Sequence, residues 1–465
     1  MNAGNAERGK APHFWVPTEE AEGGGLAKSL SAPESVGRLQ KGLYDKAKSE
    51  PALRFYALYD KVYRPDILRH AWELCRINGG ASGVDGVTIA HVAADVEGFL
   101  AELGKSLQEK TYKPAPVRRV MIPKAGGGER PLGIPTIRDR VAQTAAKLIL
   151  EPIFEADFLD EAYGYRPGRR ALEAVKAAHR AVRQGQSKVV DADLSKYFDT
   201  IPHGRLMKSV ARRVSDGAML HLVKLWLEIP SEERDNDGNR RMKANTGCGT
   251  PQGGVISPLL ANIYMHRYLR AWHQHDGPRR FRARLINYAD DFVILCPTKV
   301  DSEAALDWTR RVMTAIGLTI NEVKTRLCDA RTERFKFLGY EIGPAWGWTG
   351  KPYLSATPAR TAVQRLKQGV KDVLRPGDMS ELPSLIRRLN RRLQGWIGYF
   401  SYGSLSAAYR GIDRYVCQAV RDFLQRRHKV PTRGIRHFSW SYIFGTLGVL
   451  QLHRRREAND DVCLS

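Results

Sequence analysis

The stretch Leu285-Ile286-Asn287-Tyr288-Ala289-Asp290-Asp291-Phe292-Val293-Ile294-Leu295 sets two adjacent acids between two apolar, strand-like runs. Folded as a β-hairpin, both arms would be buried, and two aspartates at the tip are costly unless cations or hydrogen-bond donors satisfy them. A second acidic strand lies upstream in Val189-Val190-Asp191-Ala192-Asp193-Leu194, where alternation puts Asp191 and Asp193 on one face. Such carboxylates suit Mg²⁺, a hard ion that takes one or two protein carboxylates and fills its shell with water and substrate phosphates. The expected chemistry is two-metal catalysis, with Asp193 and Asp290 holding two Mg²⁺ about 3.5–4 Å apart. The plain alternative for Asp-Asp alone is a solvated turn, because Asp favours turns for local reasons.

The elements that must position these acids alternate along the chain. Strands are expected over 117–122, 188–194, the Asp290 hairpin and 335–342, and helices over 138–150, 170–182, 257–272 and 303–316. That mixture predicts an α+β core. Residues 1–35 contain Gly23-Gly24-Gly25 and no sustained apolar period, which reads as a flexible arm. Residues 36–110 are mostly helical, with Leu68, Trp72 and Leu74 on one helix ahead of the Gly83-Val84-Asp85-Gly86 turn.

Further motifs follow in order. They are Ile122-Pro123-Lys124, Arg130-Pro131-Leu132-Gly133-Ile134-Pro135, Tyr163-Gly164-Tyr165-Arg166-Pro167-Gly168, Gly249-Thr250-Pro251-Gln252-Gly253-Gly254, Gly317-Leu318-Thr319-Ile320-Asn321 with Lys324, and Phe335-Lys336-Phe337-Leu338-Gly339-Tyr340. With Tyr288-Ala289-Asp290-Asp291 as a YxDD sequence, the series resembles the reverse transcriptases encoded by group II introns, the maturases, over nearly all of residues 40–455. The resemblance implies a right-hand polymerase, with fingers and palm over 111–357, an N-terminal extension and the start of the fingers over 36–110, an α-helical thumb and maturase domain over 358–456, and a tail over 457–465.

It also implies roles for particular residues. Asp193, Asp290 and Asp291 would be catalytic, with metal contacts from those three acids and from the Leu194 carbonyl. Lys124 and Arg130 flank the flexible Ala125-Gly126-Gly127-Gly128 loop and would meet the triphosphate of a dNTP. Phe198 would block the ribose 2′-hydroxyl, with a core aromatic as the alternative. Gln252 would touch the nucleotide or template pair, and Lys324 the departing pyrophosphate. In the N-terminal extension, Arg54 and Lys61 would lie near RNA, or on a solvated helix face.

Charge agrees with a polyanionic partner: 74 Lys and Arg stand against 50 Asp and Glu, a formal net charge of +24 and a pI near 9.8. Between Ala359 and Arg456 there are 20 Lys and Arg against 5 Asp and Glu. There, Leu382, Leu385, Ile386, Leu389, Leu393, Trp396 and Phe400 fall on one helical stripe, opposite Arg387, Arg388 and Arg391. A second helix carries Ile412, Val416, Ala419, Val420 and Phe423, flanked by Arg414, Arg421, Arg426 and Arg427. Asn390, Trp396, Tyr399 and Tyr415 add to a resemblance to the maturase-specific domain, which implies that these arginines bind intron RNA. A charged bundle without a partner would normally mix its signs.

Six cysteines with no C-x-x-C pair argue against a zinc module and against a disulfide framework. With no long apolar run and no signal-peptide pattern, a soluble cytoplasmic protein with no membrane partner is expected. Nine residues follow Arg456, and the Cys pairs and histidines of an HNH nuclease are absent, so no second nuclease is expected. The favoured reading is an RNA-directed DNA polymerase that assists splicing of its intron RNA and copies it into DNA from a primer on target DNA, as monomer or homodimer. A related enzyme with a defence role and no intron, and a splicing-only cofactor, remain as alternatives.

Overall fold

The computed structural model describes residues 31–123, 129–234, 240–347, 349–430 and 436–453. Helices α1 (Glu34–Ser49), α2 (Tyr59–Val62), α3 (Pro65–Asn78), α4 (Ile89–Ala94) and α5 (Val96–Gln108) lead into strands β1 (Val117–Pro123) and β2 (Glu129–Ile134). Then come α6 (Ile137–Glu155), α7 (Ala171–Arg183), β3 (Lys188–Asp193), α8 (Tyr197–Thr200), α9 (His203–Val210), α10 (Gly217–Glu228), β4 (Ser231–Arg234) and β5 (Arg240–Lys243). Next are α11 (Ser257–Gln274), α12 (Gly277–Arg280), β6 (Arg284–Tyr288), β7 (Asp291–Cys296), α13 (Lys299–Ile316), β8 (Arg326–Asp329), β9 (Phe335–Phe337), β10 (Tyr340–Trp346) and β11 (Pro352–Pro358). Helices α14 (Arg360–Val373), α15 (Leu382–Tyr399) and α16 (Ser406–Arg427) follow, with a π-helical turn at Tyr442–Thr446.

The sheet that carries the acids has the order β6-β7-β3-β8 and is antiparallel throughout. Its two faces enter two different cores. Val190, Ala192, Phe292 and Ile294 pack into the large core that reaches back to α1, while Val189, Ile286, Val293 and Leu295 pack against α7, β9 and β10. Burial on both faces is why these strands are near-continuous apolar runs. Where the apolar run stops, at Asp193 and Asp291, this end of the sheet opens to solvent.

The large core rests on α6, which is buried along almost its whole length. Helices α1 and α3 pack on it, and the buried Gln40 Nε2 donates to Leu148 O at 3.1 Å. The N-terminal helices therefore share one core with the polymerase sheet. Arg54 and Lys61 are engaged within the protein: Arg54 Nε donates to Ala211 O at 2.9 Å, and Lys61 Nζ to Ala57 O at 2.8 Å.

A second sheet, β2-β1-β4-β5, is antiparallel except for the β1–β4 pair. The third, β11-β10-β9, corrects the single strand expected over 335–342. Leu338 (φ 47°) and Gly339 (φ 77°) reverse the chain there, so that Tyr340 pairs back on Phe337. Apolar alternation is blind to such a two-residue reversal.

The C-terminal helices have their own core: Leu385, Ile386, Leu389 and Leu393 of α15 meet Ile412, Val416, Val420 and Phe423 of α16. Phe400 instead enters the sheet-side core, its ring 5.0 Å from that of Tyr340. Tyr399 Oη donates to Leu338 O at 2.6 Å.

A buried ion pair anchors the loop between α6 and α7. Arg166 Nη2 lies 2.7 Å from Glu155 Oε1, and Arg166 Nη1 also donates to the carbonyls of Leu159 (2.6 Å) and Ala162 (2.7 Å). Removing one partner of a buried pair strands the other charge. Arg166→Met is therefore expected to cost about 3–5 kcal/mol, seen as a lower urea midpoint. Adding Glu155→Gln should restore part of that loss.

Candidate active site and nucleic-acid interface

Tyr288 pairs with Asp291, which leaves Ala289 and Asp290 as a two-residue loop. Ala289 takes φ 56°, in the left-handed region that tight hairpins require and that costs a side-chain-bearing residue roughly 1–2 kcal/mol. The loop is held from behind. Buried Asn287 donates from Nδ2 to Ala289 O at 2.9 Å. The 161–164 segment runs alongside β6, with Asn287 N donating to Glu161 O and Tyr163 N to Asn287 O, both at 2.8 Å. Gly164 follows directly, and a Cβ there would lie 2.5 Å from Ala289 N. Asn262 Nδ2 fixes Gly164 O at 2.6 Å.

The register places Asp193 directly opposite Asp291. Two carboxylates about 5 Å apart repel by roughly 3 kcal/mol at an effective dielectric near 20. Lys324 Nζ answers part of this, 2.9 Å from Asp193 Oδ2, and Asn321 Nδ2 donates to the same oxygen at 3.2 Å. Lys324 is mostly exposed, and an exposed pair contributes at most about 1 kcal/mol. Among the described residues the opposed pair is thus only weakly compensated by Lys324.

Titration reflects that weak compensation. The Asp291 carboxyl is pushed up to about 7, by burial first and then by the charges of Asp290, Asp193 and Asp191, with Lys324 pulling the other way. The Lys324 ammonium is held above its usual value, chiefly by its hydrogen bond to Asp193. Asp191 shares the face of Asp193, but Arg326 Nε lies 3.2 Å from its Oδ2, and burial raises its carboxyl.

Leu194 follows Asp193 directly, and the segments that carry Phe198 and Gln252 are hydrogen-bonded to each other. The backbone at Leu194 is bracketed by Asn321 N donating to Asp193 O (2.8 Å) and Ser195 N donating to Thr319 O (2.9 Å). Phe198, on α8, is half-buried, and Thr250 N donates to its carbonyl at 2.7 Å. Gln252 Nε2 lies 3.3 Å from both Asp199 carboxylate oxygens, while Gly133 N donates to Gln252 O at 2.5 Å. Gly253 (φ 104°) presses on Gly133 so closely that a Cβ would lie 2.3 Å from its carbonyl oxygen. The 249–254 turn is therefore clamped between β2 and α8. Arg130 stands on β2 opposite Ile122, and Lys124 lies outside the described residues.

Two family models match the chain: reverse transcriptase (RNA-dependent DNA polymerase) over residues 122–342, and the group II intron maturase-specific domain over 363–440. Protein YkfC of Escherichia coli (strain K12) is 35% identical over 342 residues, 66% of this chain and 88% of that protein. The chain belongs to the group II intron reverse transcriptases. The group II intron-encoded protein LtrA of Lactococcus lactis subsp. cremoris is 37% identical over 213 residues, 46% of this chain and 34% of LtrA. A putative COX1/OXI3 intron 2 protein of Saccharomyces cerevisiae is 25% identical over 407 residues, 76% of this chain and 44% of that protein. The chain is thus an RNA-directed DNA polymerase with a maturase domain, an enzyme class that generally uses divalent metal ions.

In the maturase domain of this reverse transcriptase the seven expected arginines divide. Arg387, Arg391, Arg414 and Arg426 are exposed. Arg388 pairs with Asp378 at 2.7 Å, Arg421 Nε donates to Phe438 O at 3.0 Å, and Arg427 Nη1 donates to Ser380 O at 2.8 Å, so these three also brace the bundle. Asn390 ties α15 to the C-terminal segment, donating to Gly448 O and accepting from Leu450 N, both at 2.7 Å.

Sequence reasoning missed a mostly basic cleft of about 560 Å³ that joins Lys324 and Asp191 to Arg326, Arg334, Lys336, Arg360 and Glu341. Lys336 alternates with buried Phe335 and Phe337 on β9, a signal that could have marked it as outward-facing. No helix among the described residues is long and apolar enough to cross a membrane.

Gly164→Ala should drive a methyl into the Ala289 turn and lower primer extension by at least about tenfold, since misplacement of about 1 Å costs on the order of a hundredfold. Circular dichroism of the variant should match that of the parent.

Proposed function

We propose that this chain copies RNA into DNA with Asp193, Asp290 and Asp291 as its catalytic acids, two Mg²⁺ as cofactor, and dNTPs on an RNA template and DNA primer as substrates. The observation that carries the reading is the pair of carboxylates, Asp193 and Asp291, set directly opposite each other at the end of strands whose two faces enter separate cores. Among the described residues no three of His, Cys, Asp or Glu form a ready-made metal cage. Mg²⁺ draws much of its shell from phosphates and water, so few protein ligands are needed. Asp193 and Asp290 would be the shared ligands, with Asp291 and the Leu194 carbonyl completing the set. When bound, the ions would make the primer 3′-hydroxyl a better nucleophile and neutralise the triphosphate.

The chain's own residues would do the rest. Lys124 and Arg130 would hold the triphosphate. Phe198 would exclude the 2′-hydroxyl, and Gln252 would contact the nascent pair from its clamped turn. Lys324, released from Asp193 as that carboxylate is engaged, would meet the departing pyrophosphate. Arg387, Arg391, Arg414 and Arg426 would grip the intron RNA whose splicing the protein assists and which it copies during mobility, and Arg388, Arg421 and Arg427 would add to that grip while bracing the bundle.

Primer extension on an RNA template with dNTPs and Mg²⁺ tests the polymerase reading. Asp290→Asn should abolish extension while leaving template-primer binding in place, and a variant that still extends would overturn the assignment. Charge reversal at Arg387, Arg391 and Arg414 should weaken intron RNA binding and lower the slope of log K against log salt by roughly 0.7 per lost contact. Copying of a short template should persist.

The Asp291 carboxyl titrates near 7, above its unfolded value, so the fold disfavours its ionised form. Without metal, its effect on stability is therefore most favourable at low pH and is lost as pH rises to about 7. Divalent binding favours the ionised form, so below pH 7 it must displace a proton. Apparent Mg²⁺ affinity measured by calorimetry should strengthen as pH rises from 6 to 8, and Asp291→Asn should flatten that dependence.

A further inference from the structure

Tyr165 has no role in the reaction described above, yet it occupies an unusual place. It stands between Gly164, which presses on the catalytic turn, and Arg166, which is locked to Glu155. Its φ is 54°, a left-handed backbone that is a clear outlier for a bulky aromatic. A glycine would meet the needs of the backbone there without strain. The presence of a tyrosine therefore points to its side chain as the reason for the residue type.

That side chain spans the site. The Tyr165 ring meets the Phe198 ring edge-on at 6.2 Å between centroids, and lies tilted against Tyr288 of the catalytic hairpin at 6.3 Å. On its other side Phe198 meets Tyr197 edge-on at 5.5 Å. Tyr197 is itself immobilised, fully buried with its hydroxyl donating to Ala261 O at 2.6 Å. The rings thus run Tyr288–Tyr165–Phe198–Tyr197, with one end fixed in the core and the other on the hairpin that carries Asp290 and Asp291. Phe198 is only half-buried, so its orientation depends on these two ring neighbours.

We infer that Tyr165 is a positioning residue for sugar selection: its ring braces Phe198 against the catalytic hairpin and so sets the width left for the nucleotide's 2′ position. The inference rests on reading Phe198 as the group that excludes the 2′-hydroxyl. A gate that can swing aside rejects a hydroxyl poorly, because steric exclusion works only where the wall cannot yield.

The test is the ratio of kcat/KM for a dNTP to that for the matching rNTP, measured on an RNA template and DNA primer with the full chain. A ratio is untouched by a general loss of active enzyme. Phe198→Ala should collapse it. Tyr165→Leu should lower it by roughly threefold to tenfold, the scale of one aromatic pair. Tyr165→Phe, which keeps the ring, should hold the parent ratio. The double variant Tyr165→Leu/Phe198→Ala should discriminate no worse than Phe198→Ala alone.

If Phe198→Ala collapses the ratio and Tyr165→Leu leaves it unchanged, the bracing role is overturned while the gate stands. If Phe198→Ala leaves the ratio unchanged, the gate reading fails and takes this inference with it. Equal losses for dNTP and rNTP in Tyr165→Leu would mark a general structural role and also overturn the proposal. Should Tyr165→Leu not fold, Tyr165→Met carries the same comparison.

Discussion

Like charges set directly across from one another in a β-sheet are destabilising, and this fold accepts that cost at Asp193 and Asp291. An exposed lysine answers one of the two acids, and burial with neighbouring carboxylates raises the other toward neutrality. Such an arrangement persists because the rest of the sheet is overdetermined. Val189, Val190, Val293 and Ile294 are each fully buried, on alternating faces in two separate cores. The sheet cannot slip by one residue to separate the acids without turning every apolar side chain toward the wrong core.

The same logic extends to the surroundings. The strained turn at Ala289 is held by Asn287, by the backbone of Gly164 and, through that glycine, by Asn262. The loop that supplies Gly164 is in turn fixed by the buried Arg166–Glu155 pair. A chain of short contacts thus runs from the hydrophobic interior to the hairpin tip at Ala289. The clamped turn at Gly249–Gly254 does the same from the other side, tying the β2 strand to Phe198 and Asp199.

Much of this was legible in the sequence, because the relevant signals are local. Apolar runs broken by paired acids gave the hairpin and the β3 strand, and period 3.6 gave the packed faces of α15 and α16. What was not legible depends on tertiary register. Nothing in the spacing of Asp290 and Asp291 says which of them faces Asp193. The reversal at Leu338–Gly339 hides inside an apolar stretch that reads as one strand. Arginines look alike in a sequence whether they face solvent, as Arg387 does, or hold a carbonyl, as Arg421 does. The cations of the cleft beside Asp191 come from β8, β9, α14 and the segments just before β8 and β9, and only the fold gathers them.

The central proposal is that the opposed acids bind divalent metal. It is tested most directly by thermal unfolding of the nucleic-acid-free protein with and without millimolar Mg²⁺, comparing the parent with Asp193→Asn. The account predicts that Mg²⁺ raises the Tm of the parent, that Asp193→Asn raises Tm in the absence of metal by relieving the repulsion, and that the variant gains little from Mg²⁺. A parent indifferent to Mg²⁺, together with a variant less stable than the parent in its absence, would contradict it.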